Sequence, residues 1–127
     1  MRAYSTSTAS DRVMAKGRKE SVISREIIDF LKLMGSGVYS TEQGFRDPKT
    51  AGRGGTRTSA GIPDLLVFGA THPRFFFIEV KREGGKLRDS QVGFQAECEK
   101  AGMLYLVAYD VRDVFDFLVA HGAIVTS

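Results

Sequence analysis

Tryptophan is absent from this 127-residue chain, and cysteine, histidine and proline occur only one, two and three times. The single cysteine, Cys98, cannot form a disulfide within the chain, which favours a reducing compartment and predicts a cytoplasmic protein. No apolar run approaches the roughly 18 residues that a membrane-spanning helix needs, so no membrane partner is expected. The first 19 residues contain no hydrophobic segment, which excludes a secretory signal peptide in that stretch.

The composition that remains is that of an ordinary globular protein, with 43% hydrophobic and 26% charged residues. The length suits one domain and is too short for two. Residues 1–19 show no apolar periodicity and predict a disordered basic arm. Residues 20–127 predict a single folded domain.

Positive charge is concentrated in particular segments of the chain. The net charge is +4 in residues 1–19, +3 in residues 43–63 and +3 in residues 74–88, whereas residues 89–127 carry −4. This asymmetry predicts a basic face and an acidic face on the opposite side, as in proteins that contact phosphates. Flexible, solvated segments would produce the same pattern, so charge alone leaves both interpretations open.

The apolar pattern predicts helices and strands in the order α, β, β, β, α, β, α, β. The helices are predicted over residues 20–34, 88–101 and 111–121, the last one capped by Asp110. The strands are predicted over residues 38–41, 64–68, 75–81, 103–109 and 123–125. This order predicts an α/β fold with a mixed sheet flanked by helices. Residues 43–63 hold five glycines and two prolines, and a loop of this length is usually functional or disordered.

Three charged residues stand out in the predicted sheet. Asp64 begins a strand directly after Pro63, and Glu79 and Lys81 lie two apart in a strand that is otherwise apolar. Because strand side chains alternate between faces, Glu79 and Lys81 project from the same side. Charged groups in such a strand are costly to bury unless they are paired or bind a ligand. If the two strands form a hairpin, two carboxylates and a lysine converge, a set that suits Mg²⁺ with several waters.

These residues stand in a pattern that resembles a known nuclease superfamily. The strings GIPD (residues 61–64) and IEVK (residues 78–81) are similar to the PD-(D/E)XK motif. More narrowly, the longer strings resemble the VRR-NUC (virus-type replication-repair nuclease) family, in its stand-alone phage type: GIPDLLVF, FFFIEVKREGGKLRDSQ and AGMLYLVAYD. The resemblance covers about residues 20 to 115. It implies the restriction-endonuclease-like core and hydrolysis of DNA by metal-activated water.

The resemblance also implies roles for individual residues. Asp64 and Glu79 would hold Mg²⁺, for which Mn²⁺ should substitute, together with the backbone carbonyl of Val80 and with Glu20. Glu20 lies on the helical stripe of Ile23, Ile27 and Leu31, although a first-turn acid favoured by the helix dipole would look the same. Lys81 and Gln91 would assist catalysis, and an ordinary polar residue at a helix start is the alternative for Gln91. Four basic residues near the site are candidate DNA contacts: Arg53, Arg57, Lys86 and Arg88.

The expected function is a structure-specific DNA endonuclease. A lone domain offers little area for gripping DNA, and the resemblance to phage-type proteins implies a homodimer that cuts four-way (Holliday) junctions. The edge around Phe75–Phe77, or the first helix, is the expected dimer interface. The alternatives are the same chemistry on another substrate, such as a restriction-type, flap, nicking or RNA-processing nuclease, and a non-catalytic DNA-binding module. No small-molecule cofactor is expected.

Overall fold

A computed structural model describes residues 17–41 and 60–126 of the chain. Most of the predicted basic arm and most of the predicted long loop lie outside these residues. The elements follow the order α1 (Glu20–Leu33), β1 (Gly37–Ser40), β2 (Leu65–Phe68), β3 (Phe75–Val80), α2 (Asp89–Ala101), β4 (Leu104–Ala108) and α3 (Val111–Ala120). No helix in the described ranges is long and apolar enough to cross a membrane.

The four strands form one mixed sheet in the order β1-β2-β3-β4. The pairs β1–β2 and β2–β3 are antiparallel, and β3–β4 is parallel with α2 as the connection. The sheet therefore matches the predicted α/β fold with a mixed sheet flanked by helices. Because β3 lies between β2 and β4, the expectation of a sheet edge around Phe75–Phe77 is wrong.

The two faces of the sheet are covered by different helices. On one face Phe76 is fully buried and packs against Phe117 of α3, with ring centroids 4.9 Å apart. The buried side chains of α1, Ile23, Ile27 and Leu31, join the same core, as their four-residue spacing predicts. On the other face Phe77 meets Phe94 of α2 at 5.2 Å. Strand β3 is thus buried from both sides.

Local signals end or begin the helices where the sequence predicts. Gly35, with φ of 85°, follows α1, and the backbone N–H of Ser36 donates to the carbonyl of Leu31. Gly102, with φ of 73°, ends α2. The side chain of Asp110 accepts a hydrogen bond from the backbone N–H of Asp113, which caps α3 as predicted.

The predicted last strand over residues 123–125 is wrong. The backbone N–H groups of Ala123 and Ile124 both donate to the carbonyl of Leu118, at 2.8 and 3.3 Å, so this segment folds back on the end of α3. Both side chains pack against the core, which explains the apolar run. A short apolar run cannot be assigned to a strand by its pattern alone.

Candidate active site

Asp64 lies one residue before β2 and is held by backbone groups. Its Oδ2 atom accepts a hydrogen bond of 2.7 Å from the backbone N–H of Val80, and its carbonyl accepts one from Thr41 at 2.9 Å. The β2–β3 register pairs Leu65 with Ile78, so one further step along both strands places Asp64 opposite Glu79. The predicted convergence of the two carboxylates is therefore present.

Glu79 is the buried centre of the site, with only 3% of its surface exposed. Its Oε2 atom accepts a hydrogen bond of 2.9 Å from the side-chain amide of Gln91 and lies 3.6 Å from the ammonium of Lys81. Its Oε1 atom is buried and has no hydrogen-bond partner in the described part of the chain. A buried carboxylate oxygen without a partner is costly, so this atom is suited to bind a cation.

The surroundings of Glu79 oppose its ionisation. Burial raises the pKa of Glu79 to about 7, the nearby carboxylate of Asp64 adds to the rise, and the ammonium of Lys81 acts in the opposite direction. Burial and a like charge both disfavour a second negative charge at this place. A cation that binds between the two strands would therefore stabilise the ionised form of the Asp64–Glu79 pair.

We expect the metal-free protein to lose stability as the pH rises from about 4.5 to about 7. Over this range the folded protein keeps a proton on Glu79 that the unfolded chain releases, so the free energy of unfolding falls with pH and the loss is complete above 7. The expected contribution is about 1–3 kcal/mol. Thermal unfolding in EDTA at pH 5.5 and pH 8 measures it.

The control for this prediction is Glu79→Gln, which cannot ionise. The difference in stability between the two pH values should be smaller in the variant than in the unchanged protein, and the variant should be the more stable of the two at pH 8. An identical pH dependence of both proteins would show that Glu79 titrates normally.

The two carboxylates open into a cavity of about 490 Å³ at the end of the sheet where β2 begins and β3 ends. The cavity brings together six of the residues predicted for the site. They come from α1, from the strand segments and from the start of α2: Glu20, Asp64, Glu79, Lys81, Arg88 and Gln91.

Only some of the predicted metal ligands lie close together. In residues 17–41 and 60–126, no group of three or more His, Cys, Asp or Glu side chains comes together as a candidate metal site. Asp64 and Glu79 converge, while Glu20 is exposed and borders the same cavity. Val80 is 1% exposed and offers its backbone N–H to Asp64. The unpartnered Oε1 of Glu79 beside a second carboxylate fits a hard divalent cation.

The predicted DNA contacts have different outcomes. Arg88 lines the cavity, and its backbone N–H donates to the side-chain carbonyl of Gln91 at 2.8 Å. Lys86 is exposed and is not part of the cavity wall. Arg53 and Arg57 lie outside the described residues.

Sequence reasoning missed several polar residues of the cavity wall. Ser21, Ser24 and Arg25 of α1 and Ser40 of β1 all border the cavity. The signal for the first three was their spacing: residues 21, 24, 25 and 28 recur every three or four positions and form a second stripe beside the buried one. Small polar residues in such a stripe indicate a helix face that is neither packed in the core nor fully exposed, as expected for the wall of a cavity.

Gly61 allows the strand segment that carries Asp64 to approach α2 closely. Its φ is 86°, and a Cβ atom there would lie 2.1 Å from the carbonyl oxygen of Ser90 and 3.2 Å from the backbone nitrogen of Gln91. Only glycine fits both the backbone conformation and the contact. The glycine in the GIPD string therefore sets the distance between Asp64 and the helix that carries Gln91.

We expect Gly61→Ala to destabilise the fold by about 2–4 kcal/mol and to reduce any cleavage activity, because strand and helix must separate. The matched control is Gly102→Ala, which has a similar φ of 73° but open space around the new Cβ. That variant should cost about 1–2 kcal/mol and leave activity unchanged. Urea unfolding of both variants checks the prediction, and equal losses would show that the close contact contributes nothing.

Two comparisons with known proteins found a similar domain and a similar fold. Residues 54–111 match the family model of the VRR-NUC domain. A solved structure described as a VRR_NUC domain shares the fold, with a TM-score of 0.58, 23% sequence identity, and coverage of 80% of this chain and 95% of that chain. No curated protein matches the chain. Residues 54–111 are therefore similar to the VRR-NUC domain, and the chain shares the fold of a solved structure described by that name.

Proposed function

We propose that this protein is a metal-dependent, structure-specific endonuclease that hydrolyses phosphodiester bonds in branched DNA and acts as a homodimer. The observation that carries the proposal is the convergence of Asp64, Glu79 and Lys81 on one cavity. Their positions in this cavity suit hydrolysis of a phosphodiester better than binding alone, because a binding module has no need to bury a carboxylate with an unpartnered oxygen.

The donor set supports a hard divalent cation as the cofactor. Asp64 and Glu79 supply carboxylate oxygens, which suit Mg²⁺ and also Mn²⁺. We assign Glu20, which borders the same cavity, and the carbonyl of Val80 as further ligands. When bound, Mg²⁺ supplies charge neutralisation at the phosphate and lowers the pKa of water.

The other residues of the site position these groups or face the substrate. The ammonium of Lys81 lies beside Glu79 and borders the cavity, so it can stabilise negative charge that develops on the phosphate. Gln91 donates to Glu79 while its carbonyl accepts from the backbone of Arg88. We therefore assign Gln91 to holding the Glu79 carboxylate in a fixed orientation. Arg53, Arg57, Lys86 and Arg88 remain the proposed phosphate contacts.

The proposed substrate and assembly depend on the size of the domain. Specific protein–DNA interfaces usually bury on the order of 1,000 Å² or more of protein surface, and one small domain supplies this only with difficulty. Two copies would double the contact area and place one active site on each of two strands. A four-way junction presents two equivalent strands to such a pair, which makes it the substrate that fits a symmetric dimer.

The experiment that tests the proposal compares DNA structures of the same sequence. A four-way junction, a flap, a nicked duplex and a linear duplex are incubated with the protein in Mg²⁺, Mn²⁺ or EDTA, and light scattering measures the solution mass. We expect the junction to be cut fastest, only with a divalent metal, by a species of twice the chain mass. Equal cutting of linear duplex would reject branch specificity, a single-chain mass would reject the dimer, and no cutting in either metal would reject the enzyme.

A further inference from the structure

We propose that the face of α1 that borders the cavity binds a phosphodiester group of the DNA next to the bond that is cut. We call Ser21, Ser24 and Arg25 the α1 donor row. This proposal rests on the proposed function, because it assumes that DNA occupies the cavity. It assigns a binding role to residues that carry none of the metal or catalytic roles above.

The geometry of α1 directs the donor row to one place. Ser21, Ser24, Arg25 and Ile28 line the cavity and recur every three or four residues, so they share one stripe of the helix. The core stripe of Ile23, Ile27 and Leu31 fixes the rotation of α1 against the sheet. The donor row therefore faces the cavity because the adjacent stripe is buried.

The chemistry of the donor row suits a phosphate. Two hydroxyls and a guanidinium can all donate hydrogen bonds, and the non-bridging oxygens of a phosphodiester only accept them. An arginine can bind two such oxygens at once through its planar fork. The carboxylates of Asp64 and Glu79, by contrast, come from the strand segments. Apart from Glu20 in the first turn of α1, the acids that line the cavity lie on the sheet side, and the α1 donor row lies on the helix side.

The charges of the wall leave Arg25 available. Three acids and three bases line the cavity, and the base Lys81 is paired with the acid Glu79. Within the described ranges no ion pair engages Arg25, whereas Glu26, its neighbour on the helix, pairs with Arg18. Arg88, the N-cap residue of α2, adds a second cation. An exposed arginine at a cavity rim without an internal partner is suited to bind an external anion.

The cavity is large enough to hold a ligand bigger than a single ion. Its volume of about 490 Å³ falls in the range of roughly 300–1,000 Å³ that is typical of small-molecule sites. A nucleotide unit with its flanking phosphate can therefore enter, and the helix side is where the flanking phosphate would meet hydrogen-bond donors.

The test measures DNA affinity as a function of salt. Anisotropy of a labelled four-way junction, held with Ca²⁺ and checked to be uncut, is followed between about 50 and 200 mM salt. Arg25→Gln should weaken binding about tenfold and reduce the slope of log K against log salt by about 0.9, the loss of one phosphate contact. Arg25→Lys should keep the slope. Ser21→Ala with Ser24→Ala should weaken binding about fivefold without changing the slope.

The matched control is Arg74→Gln. Arg74 is exposed at the other end of β3, and its guanidinium donates to the carbonyl of Ala70, so its loss should change neither affinity nor slope. In Mg²⁺, Arg25→Gln should raise KM for junction cleavage more than it lowers kcat. A merely structural role of Arg25 would not alter the salt slope.

The outcomes separate this proposal from the proposed function. An unchanged affinity and slope in Arg25→Gln, with normal cleavage by the unchanged protein, would overturn the phosphate site and leave the nuclease intact. A reduced slope in a protein that never cuts DNA would support the phosphate site and reject the nuclease. Failure of the unchanged protein to bind DNA at all would overturn both.

Discussion

Glu79→Gln is expected to reduce cleavage of DNA by at least about a thousandfold. Within residues 17–41 and 60–126, the Oε1 atom of Glu79 is the one buried carboxylate oxygen without a hydrogen-bond partner. The amide removes the negative charge that a cation needs but keeps the shape of the side chain. Initial rates on a four-way junction in Mg²⁺, together with Mg²⁺ binding followed by calorimetry, measure both consequences.

This variant should remain folded. The side chain of Gln91 can still donate to the amide oxygen at position 79, and a buried charge has been replaced by a neutral group. Glu99→Gln, an exposed substitution on α2, is the matched control and should leave cleavage unchanged. If Glu79→Gln cut DNA at the normal rate, Glu79 would have no part in the chemistry.

Lys81→Met is expected to reduce kcat by about 10²–10³-fold, because the cavity loses the cation placed beside Glu79. Methionine retains most of the apolar stem, so packing between the strand and its surroundings should change little. The affinity for DNA should fall much less than kcat, since Lys81 is 8% exposed and cannot contribute much to the initial attraction of the backbone. Single-turnover rates at saturating DNA measure the effect on chemistry alone.

The substitution also removes the positive charge that favours ionisation of Glu79. The pKa of Glu79 should then rise further, so cleavage by Lys81→Met should increase with pH over a higher range than in the unchanged protein. Lys100→Met, in the last turn of α2, is the exposed control. A normal rate in Lys81→Met would show that Lys81 has no part in the chemistry.

Local sequence signals were sufficient for most of the secondary structure. The first helix was predicted over residues 20–34 and spans Glu20–Leu33, because a four-residue apolar spacing and a glycine stop do not depend on distant contacts. The strand around Glu79 was predicted from another local signal, its run of apolar residues. The predicted strand at residues 123–125 failed because its apolar side chains cover the end of α3, and only the hydrogen bonds to Leu118 distinguish the two arrangements.

Local sequence patterns did not predict the order of the strands in the sheet. Phe75–Phe77 are as apolar as an interface, and the sequence placed them at an edge. In the sheet, β3 is paired on both sides, so the aromatic rings of Phe77 and Phe94 instead pack between sheet and helix. Neighbour relations between strands depend on pairing across long sequence separations, and periodicity carries no information about them.

For the candidate site, the sequence predicted which charged residues come together, and the tertiary structure determined their surroundings. Strand alternation predicted Glu79 and Lys81 on one face, and the antiparallel pairing of β2 with β3 supplies the hairpin on which the convergence with Asp64 depended. That Gln91 reaches Glu79, and that Arg25 shares the cavity, depends on how α1 and α2 pack against the sheet. Such contacts arise from burial of whole helix faces, which joins residues far apart in the chain. The resemblance assigned Gln91 to the site, whereas no motif indicated Arg25.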